Sequence, residues 1–166
     1  ARAFRCHGLG PDGLLHRLGA NYRLPELSAA LGVRQVERLP QTLTERRQLA
    51  AWYDDALAAA DLSLVVPPPP VLDETNAYYK YPVVLSATAD RDEVTGGLQR
   101  AGVPVGSLYW PPCHRQPSAI ASLGPQHLPI ADDILRRVIT LPLYSGLQQE
   151  DIERVVEALC DLRHVL

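Results

Sequence analysis

The sequence predicts a small α+β domain, a short sheet with flanking helices, entered through a long interdomain helix. Three observations predict it: an apolar stripe of helical period over 33–60, three short β-rich segments interleaved with helical ones after residue 77, and four consecutive prolines at 67–70 between them. The boundary is therefore drawn after residue 60. Residues 1–60 are read as the end of one domain with its connecting helix, and 61–166 as a C-terminal α+β domain.

Residues 1–20 read as a short helical tail and a glycine-rich stretch. Gly8, Gly10 and Gly13 spell G-x-G-x-x-G, but Arg5, Cys6 and His7 stand where the dinucleotide fingerprint needs an apolar strand, and Pro11 lies inside it. The match is read as accidental. From Leu24 the pattern turns helical, with Pro25 placed for a first turn and Glu26 complementing the N-terminal dipole. Leu27 and Leu31 begin a stripe that resumes through Val36, Leu39, Leu43, Ala50, Tyr53 and Leu57, the pattern of a helix with one buried face. Pro40 lacks an amide donor and crowds the preceding turn, so a kink or interruption is expected near Leu39.

An extended stretch from Leu62 to Val66 then enters the proline run, expected as a stiff polyproline connector. Tyr78 to Leu85 reads as a strand, with Pro82 implying an edge position or a bulge. Residues 90–101 form a helix with Val94, Leu98 and Ala101 on one face and Gly102 as its stop, weakened by about 1 kcal/mol at each of Gly96 and Gly97. Val103 to Tyr109 is a second strand. The loop Trp110, Pro111, Pro112, Cys113, His114 follows, then short helices near 117–123 and 128–137, and a third strand at Val138 to Leu141. A final helix buries Ile152, Val155, Val156 and Leu159, with Gln148 standing where serine or threonine would commonly cap it.

At 166 residues and 46% hydrophobic, the chain can bury a core. A net charge of -3 and a pI near 5.9 supply no concentrated basic face, so neither nucleic acid nor an anionic membrane is an expected partner. No run reaches the roughly 18–20 apolar residues of a membrane span, and the opening residues lack the core of a secretory signal, so a cytoplasmic location is expected. Cys6, Cys113 and Cys160 form no C-x-x-C pair and are expected as reduced thiols, with no metal site. Of 16 lysines and arginines, Lys80 is the one lysine. With no methionine and an opening that reads as the end of a helix, the chain is expected to be a fragment.

The segment 20–32, Ala-Asn-Tyr-Arg-Leu-Pro-Glu-Leu-Ser-Ala-Ala-Leu-Gly, closely resembles a signature of the nucleotide-sugar aminotransferases, the DegT/StrS group of fold-type I pyridoxal-phosphate (PLP) enzymes. Val36-Glu37-Arg38-Leu39, the Tyr109 to Pro117 loop and Leu141-Pro142-Leu143-Tyr144-Ser145-Gly146-Leu147 follow in that group's order, and residues 2–8 look like the stretch after its cofactor lysine. The resemblance implies the C-terminal part of an α/β PLP-transferase fold of type I, a homodimer with shared active sites and PLP as cofactor. It further implies transfer of an amino group from an amino acid, commonly glutamate, to a keto-sugar nucleotide in polysaccharide or antibiotic biosynthesis. A cyclitol or amino-aromatic substrate, dehydration in place of transamination, and a non-catalytic remnant binding a full-length partner stay open. The Schiff-base lysine is expected upstream of position 1, so this chain carries no catalytic residue and is expected to be inactive alone; Lys80 sits in a Tyr-Tyr-Lys-Tyr strand instead.

The resemblance assigns Asn21 and Arg23 to the cofactor phosphate of the neighbouring subunit. Their position just before a helix start suits an anion, because unpaired backbone donors and the helix dipole favour negative charge there. A turn-capping Asn21 and an Arg23 paired with a surface carboxylate is the alternative. The resemblance places the His114 loop on the substrate side, where His114, Tyr109 and Trp110 would offer an imidazole and aromatic faces to a small-molecule sugar nucleotide. Here a histidine bonded within a packed loop is the alternative.

Overall fold

The computed structural model describes residues 1–62, 64 and 76–166. The proline run and Val65, Val66 and Ser63 lie outside the described residues, as does most of the extended stretch expected there. Two compact units are present, residues 1–41 and 42–166. The division falls inside the long helix, whereas the sequence places the boundary after residue 60.

In the first unit, α1 (Arg2–Arg5) is followed by a loop region and the start of α2 (Glu26–Ala60). The G-x-G-x-x-G residues form a hairpin: Leu9 bridges Leu15, Gly10 N–H donates to the Leu14 carbonyl at 2.8 Å, and Gly13 takes φ +76° at the tip. No helix opens there, so the accidental reading of the glycines holds. His16 closes the hairpin on the Asp12 carboxylate at 2.9 Å, which holds that carboxyl below its ordinary range.

Helix α2 runs unbroken through Pro40, starting at Glu26 rather than near residue 33. The expected interruption does not occur: one missing donor in 35 residues is tolerated when the flanking turns are intact. Its buried face is shorter than the apolar stripe. Leu49, Ala50, Tyr53 and Leu57 are buried, whereas Leu27, Leu31, Val36 and Leu39 are exposed.

In the second unit, β1 (Tyr81–Val84), α3 (Arg91–Arg100), β2 (Gly106–Ser107), α4 (Pro117–Leu123), α5 (Pro129–Arg137), β3 (Val138–Leu141) and α6 (Gln149–Asp161) follow in order. The sheet order is β1-β3-β2, antiparallel throughout, with Val83 opposite Ile139 and Gly106 opposite Thr140. All four residues of β3 are buried, which suits the central strand. Pro82 lies in β1, an edge strand, as its missing donor requires.

Both outer strands are shorter than the sequence suggested. Tyr78 adopts φ +42° and keeps the chain from extending before Tyr81, and Tyr109 at φ +52° does the same after β2. Asp90 caps α3 by accepting from the N–H groups of Asp92 (2.9 Å) and Glu93 (3.1 Å), and Gly102 ends it at φ +79°. Gly97 has a packing reason: a Cβ there would lie 2.8 Å from Leu162 Cδ1, so the Gly96-Gly97 pair that weakens α3 also lets the C-terminal segment approach. At α6, the Asp151 carboxylate accepts from the Gln148 N–H at 3.0 Å, the reciprocal half of a capping box. Ile152, Val155, Val156 and Leu159 are buried as expected.

The second half of α2 is fastened to the sheet by two adjacent residues. The Tyr53 and Tyr81 rings stack at 4.6 Å, Tyr53 Oη donates to the Pro142 carbonyl at 2.9 Å, and Tyr81 Oη donates to Asp54 Oδ1 at 2.5 Å. Burial pushes both phenols well above the ordinary tyrosine value, and for Tyr81 the Asp54 carboxylate adds to it. Because the folded state holds these protons more tightly, their contribution is complete below about pH 10 and is lost as pH rises beyond it. Tyr81→Phe should therefore cost about 1–2 kcal/mol in urea unfolding at pH 7 and flatten the loss of stability between pH 9 and 11. An unchanged alkaline slope would show that this phenol does not govern it.

Candidate functional site

The Asn21 group is built in the first unit by backbone pairing. Ala20 N–H donates to the Phe4 carbonyl at 2.8 Å, His7 N–H to the Ala20 carbonyl at 3.1 Å and Tyr22 N–H to the Arg5 carbonyl at 2.9 Å, so 20–22 lie against the end of α1. Gly19 makes this approach possible. A Cβ there would collide with Gly8 N and lie 2.6 Å from His7 C and 2.7 Å from the Phe4 carbonyl oxygen. Phe4 and Tyr22 rings meet at 5.9 Å across the pairing.

On this platform Arg23 Nε donates to Asn21 Oδ1 at 3.0 Å, and both residues are exposed. The pairing uses the amide oxygen and leaves the Asn21 Nδ2 and the terminal guanidinium nitrogens as donors. A group that presents donors and a positive charge, three residues ahead of the α2 start, fits a phosphate. The structure brings these two predicted residues together.

The His114 group belongs to the second unit. Its loop is held at three points: Lys80 Nζ donates to the Ser107 carbonyl at 2.9 Å, Gln116 Nε2 donates to the Pro111 carbonyl at 3.0 Å, and Pro112 is fully buried. Lys80 is thus a strut to the base of the loop. His114 lies in a single 3₁₀ turn, Cys113–Arg115, with its side chain only 10% exposed. Its Nε2 is 3.0 Å from Asp132 Oδ1 but off the line a hydrogen bond needs, which leaves that nitrogen buried without a hydrogen-bond partner. Arg115 grips the same carboxylate at both oxygens, 2.7 and 2.8 Å, and this guanidinium is the main reason the Asp132 carboxyl is held below its ordinary range.

Tyr109 is exposed, and Trp110 lines an open pocket of about 520 Å³ with Asp90, Arg91 and Arg136, whose lining does not include His114. The sequence reading missed Asp132. Its partner Arg115 is 17 residues away, beyond any helical spacing, whereas the neighbouring Asp133–Arg137 pair at 2.6 Å follows the readable four-residue step. Among the described residues no cluster of three or more His, Cys, Asp or Glu could hold a metal, the three cysteines are unbridged, and no helix is long and apolar enough to cross a membrane.

The model of the DegT/DnrJ/EryC1/StrS aminotransferase family matches residues 1–160. The chain belongs to this family. It is 32% identical over 166 residues to a "Pleiotropic regulatory protein" of Geobacillus stearothermophilus, covering 98% of this chain and 44% of that one. To the GDP-perosamine synthase of Caulobacter vibrioides it is 31% identical over 162 residues, covering 95% and 43%. Helicobacter pylori PseC, an aminotransferase involved in pseudoaminic acid biosynthesis, superposes with a TM-score of 0.85 at 22% identity, over 99% of this chain and 45% of that one, a likeness of fold. The DegT/DnrJ/EryC1/StrS chain therefore spans less than half the length of these relatives. Its fold is the C-terminal part of the PLP-transferase fold, as the resemblance implied. PLP is the cofactor the family implies.

Since a Cβ at Gly19 would run into backbone atoms of Phe4, His7 and Gly8, Gly19→Ala should cost the first unit about 1–3 kcal/mol and speed trypsin cleavage at Arg17 and Arg23. Cleavage at the wild-type rate would show that the 4–8 and 20–22 segments part without cost.

Proposed function

We propose that the whole protein containing this chain is a PLP-dependent aminotransferase that moves an amino group from an amino acid, glutamate in the first instance, to a keto-sugar nucleotide, and that it works as a homodimer with shared active sites. The observation that carries the reading is the donor-only Asn21–Arg23 pair, fastened by backbone bonds to the very stretch that resembles the sequence after the cofactor lysine. Family membership and the relationship to GDP-perosamine synthase support the substrate class.

Bound PLP supplies an electron sink for the bonds made and broken at the amino-bearing carbon. The residues here hold and position. Asn21 Nδ2 and the Arg23 guanidinium would hold the phosphate of the neighbouring subunit's cofactor. On this reading the attaching lysine is not among these 166 residues. His114, with Tyr109 and Trp110, would meet the sugar nucleotide.

In the full-length protein, Asn21→Ala and Arg23→Ala should each raise the PLP dissociation constant about tenfold or more, the value of one charge-assisted bond. Unchanged cofactor affinity would withdraw these residues. His114→Ala should raise the Michaelis constant for the sugar nucleotide more than it weakens PLP.

The relationship to a protein named as regulatory favours a second reading, a non-catalytic partner of a full-length enzyme. Both readings leave Lys80 without a cofactor bond. Its ammonium is engaged by Ser107 and lies 5.9 Å over the Tyr79 ring, so PLP followed by borohydride should leave the 166-residue chain unlabelled at Lys80. A reduced adduct there would give this chain a cofactor-bonding lysine of its own and overturn the positions assigned above.

A further inference from the structure

We propose that Asp132 is a positioning residue for His114: it draws the Nε2 edge of the imidazole inward and so sets the orientation in which the ring meets the bound sugar nucleotide. The inference rests on the reading that the His114 loop faces the sugar nucleotide, and it adds a residue to that reading.

Three observations carry it. His114 is nine-tenths buried, so its ring cannot be oriented by water, and the polar atom beside Nε2 is Asp132 Oδ1 at 3.0 Å. Asp132 is itself immobilised. Arg115 takes both its oxygens, and its own backbone N–H donates to the Leu128 carbonyl at 2.9 Å in the first turn of α5. An ionised carboxylate only accepts hydrogen bonds, so a ring that settles against it turns an N–H edge at Nε2 toward Oδ1.

The missing alignment has a place in this scheme. At 3.0 Å but off line, the contact attracts the ring without completing a hydrogen bond. A small turn of the imidazole would complete the Nε2–H to Oδ1 bond when the substrate binds, and the buried nitrogen thereby gains its partner.

The test is a double-mutant cycle in the full-length, PLP-loaded protein. UDP-glucose, GDP-mannose and dTDP-glucose serve as unreactive probes, read by calorimetry with the best binder. His114→Ala is expected to weaken that probe about tenfold, Asp132→Ala to weaken it by a similar factor, and the double variant to be no weaker than His114→Ala alone. Asp132→Glu, which keeps the carboxylate, should recover part of the loss, and PLP affinity should stay unchanged throughout.

If the Asp132→Ala loss persists in full on the His114→Ala background, Asp132 acts on the fold at large and the positioning role is overturned. Wild-type binding by Asp132→Ala overturns it as well. If instead His114→Ala alone binds the probe normally, the placement of this loop at the substrate is what fails. Absence of binding by all three probes removes the sugar-nucleotide reading and the proposal with it.

Discussion

The clamp of Tyr53 and Asp54 on two neighbouring strands is the constraint on which the second unit depends. Consecutive residues of α2 reach different strands, Tyr53 to the carbonyl that follows β3 and Asp54 to the phenol that opens β1. A helix held at one point can roll; held at two adjacent points with the Tyr53–Tyr81 rings stacked between, its rotation is set. That rotation puts Leu49, Ala50 and Leu57 into the core and fixes where β3 lies beneath them. The loop with His114 then leaves from β2, the strand on the far side of β3, and inherits its position from the same clamp.

The first unit solves a different problem with different means. Its apolar side chains along α2 are exposed and none of its helical residues is buried, so apart from the Phe4–Tyr22 contact side-chain packing contributes little among the described residues. Backbone pairing organises it. Gly8 at φ +86° and Gly19 let two stretches of main chain meet where any side chain would separate them, and the Asn21–Arg23 pair stands at the end of that contact. Main-chain bonds fix the position of that pair, so its geometry tolerates variation in the surrounding side chains.

How much of this could be read from the residues follows from the range of the forces involved. The helical periods of α3 and α6, the apolar run of β3 and the edge position of Pro82 are local patterns, and each was legible. The length of the buried stripe on α2 was not, since Leu31 and Leu57 look alike in sequence and differ only in what packs on them. The ends of β1 and β2 were missed because Tyr78 and Tyr109, residues with high strand propensity, adopt positive φ in the fold. Asn21 and Arg23 were singled out through their motif, and the structure adds the bond between them. His114 was singled out through its loop, while the Asp132 and Arg115 beside it are joined across 17 residues of intervening chain, for which no spacing rule exists.

The sheet has one more property. Its two outer strands run four and two residues, and the longer of them contains a proline. Among the described residues, an incoming strand from another polypeptide would find few consecutive amides to grip along either margin, which discourages amyloid-like stacking and strand exchange. Self-recognition by the second unit is thereby steered away from β-augmentation and toward contacts made by helices and loops.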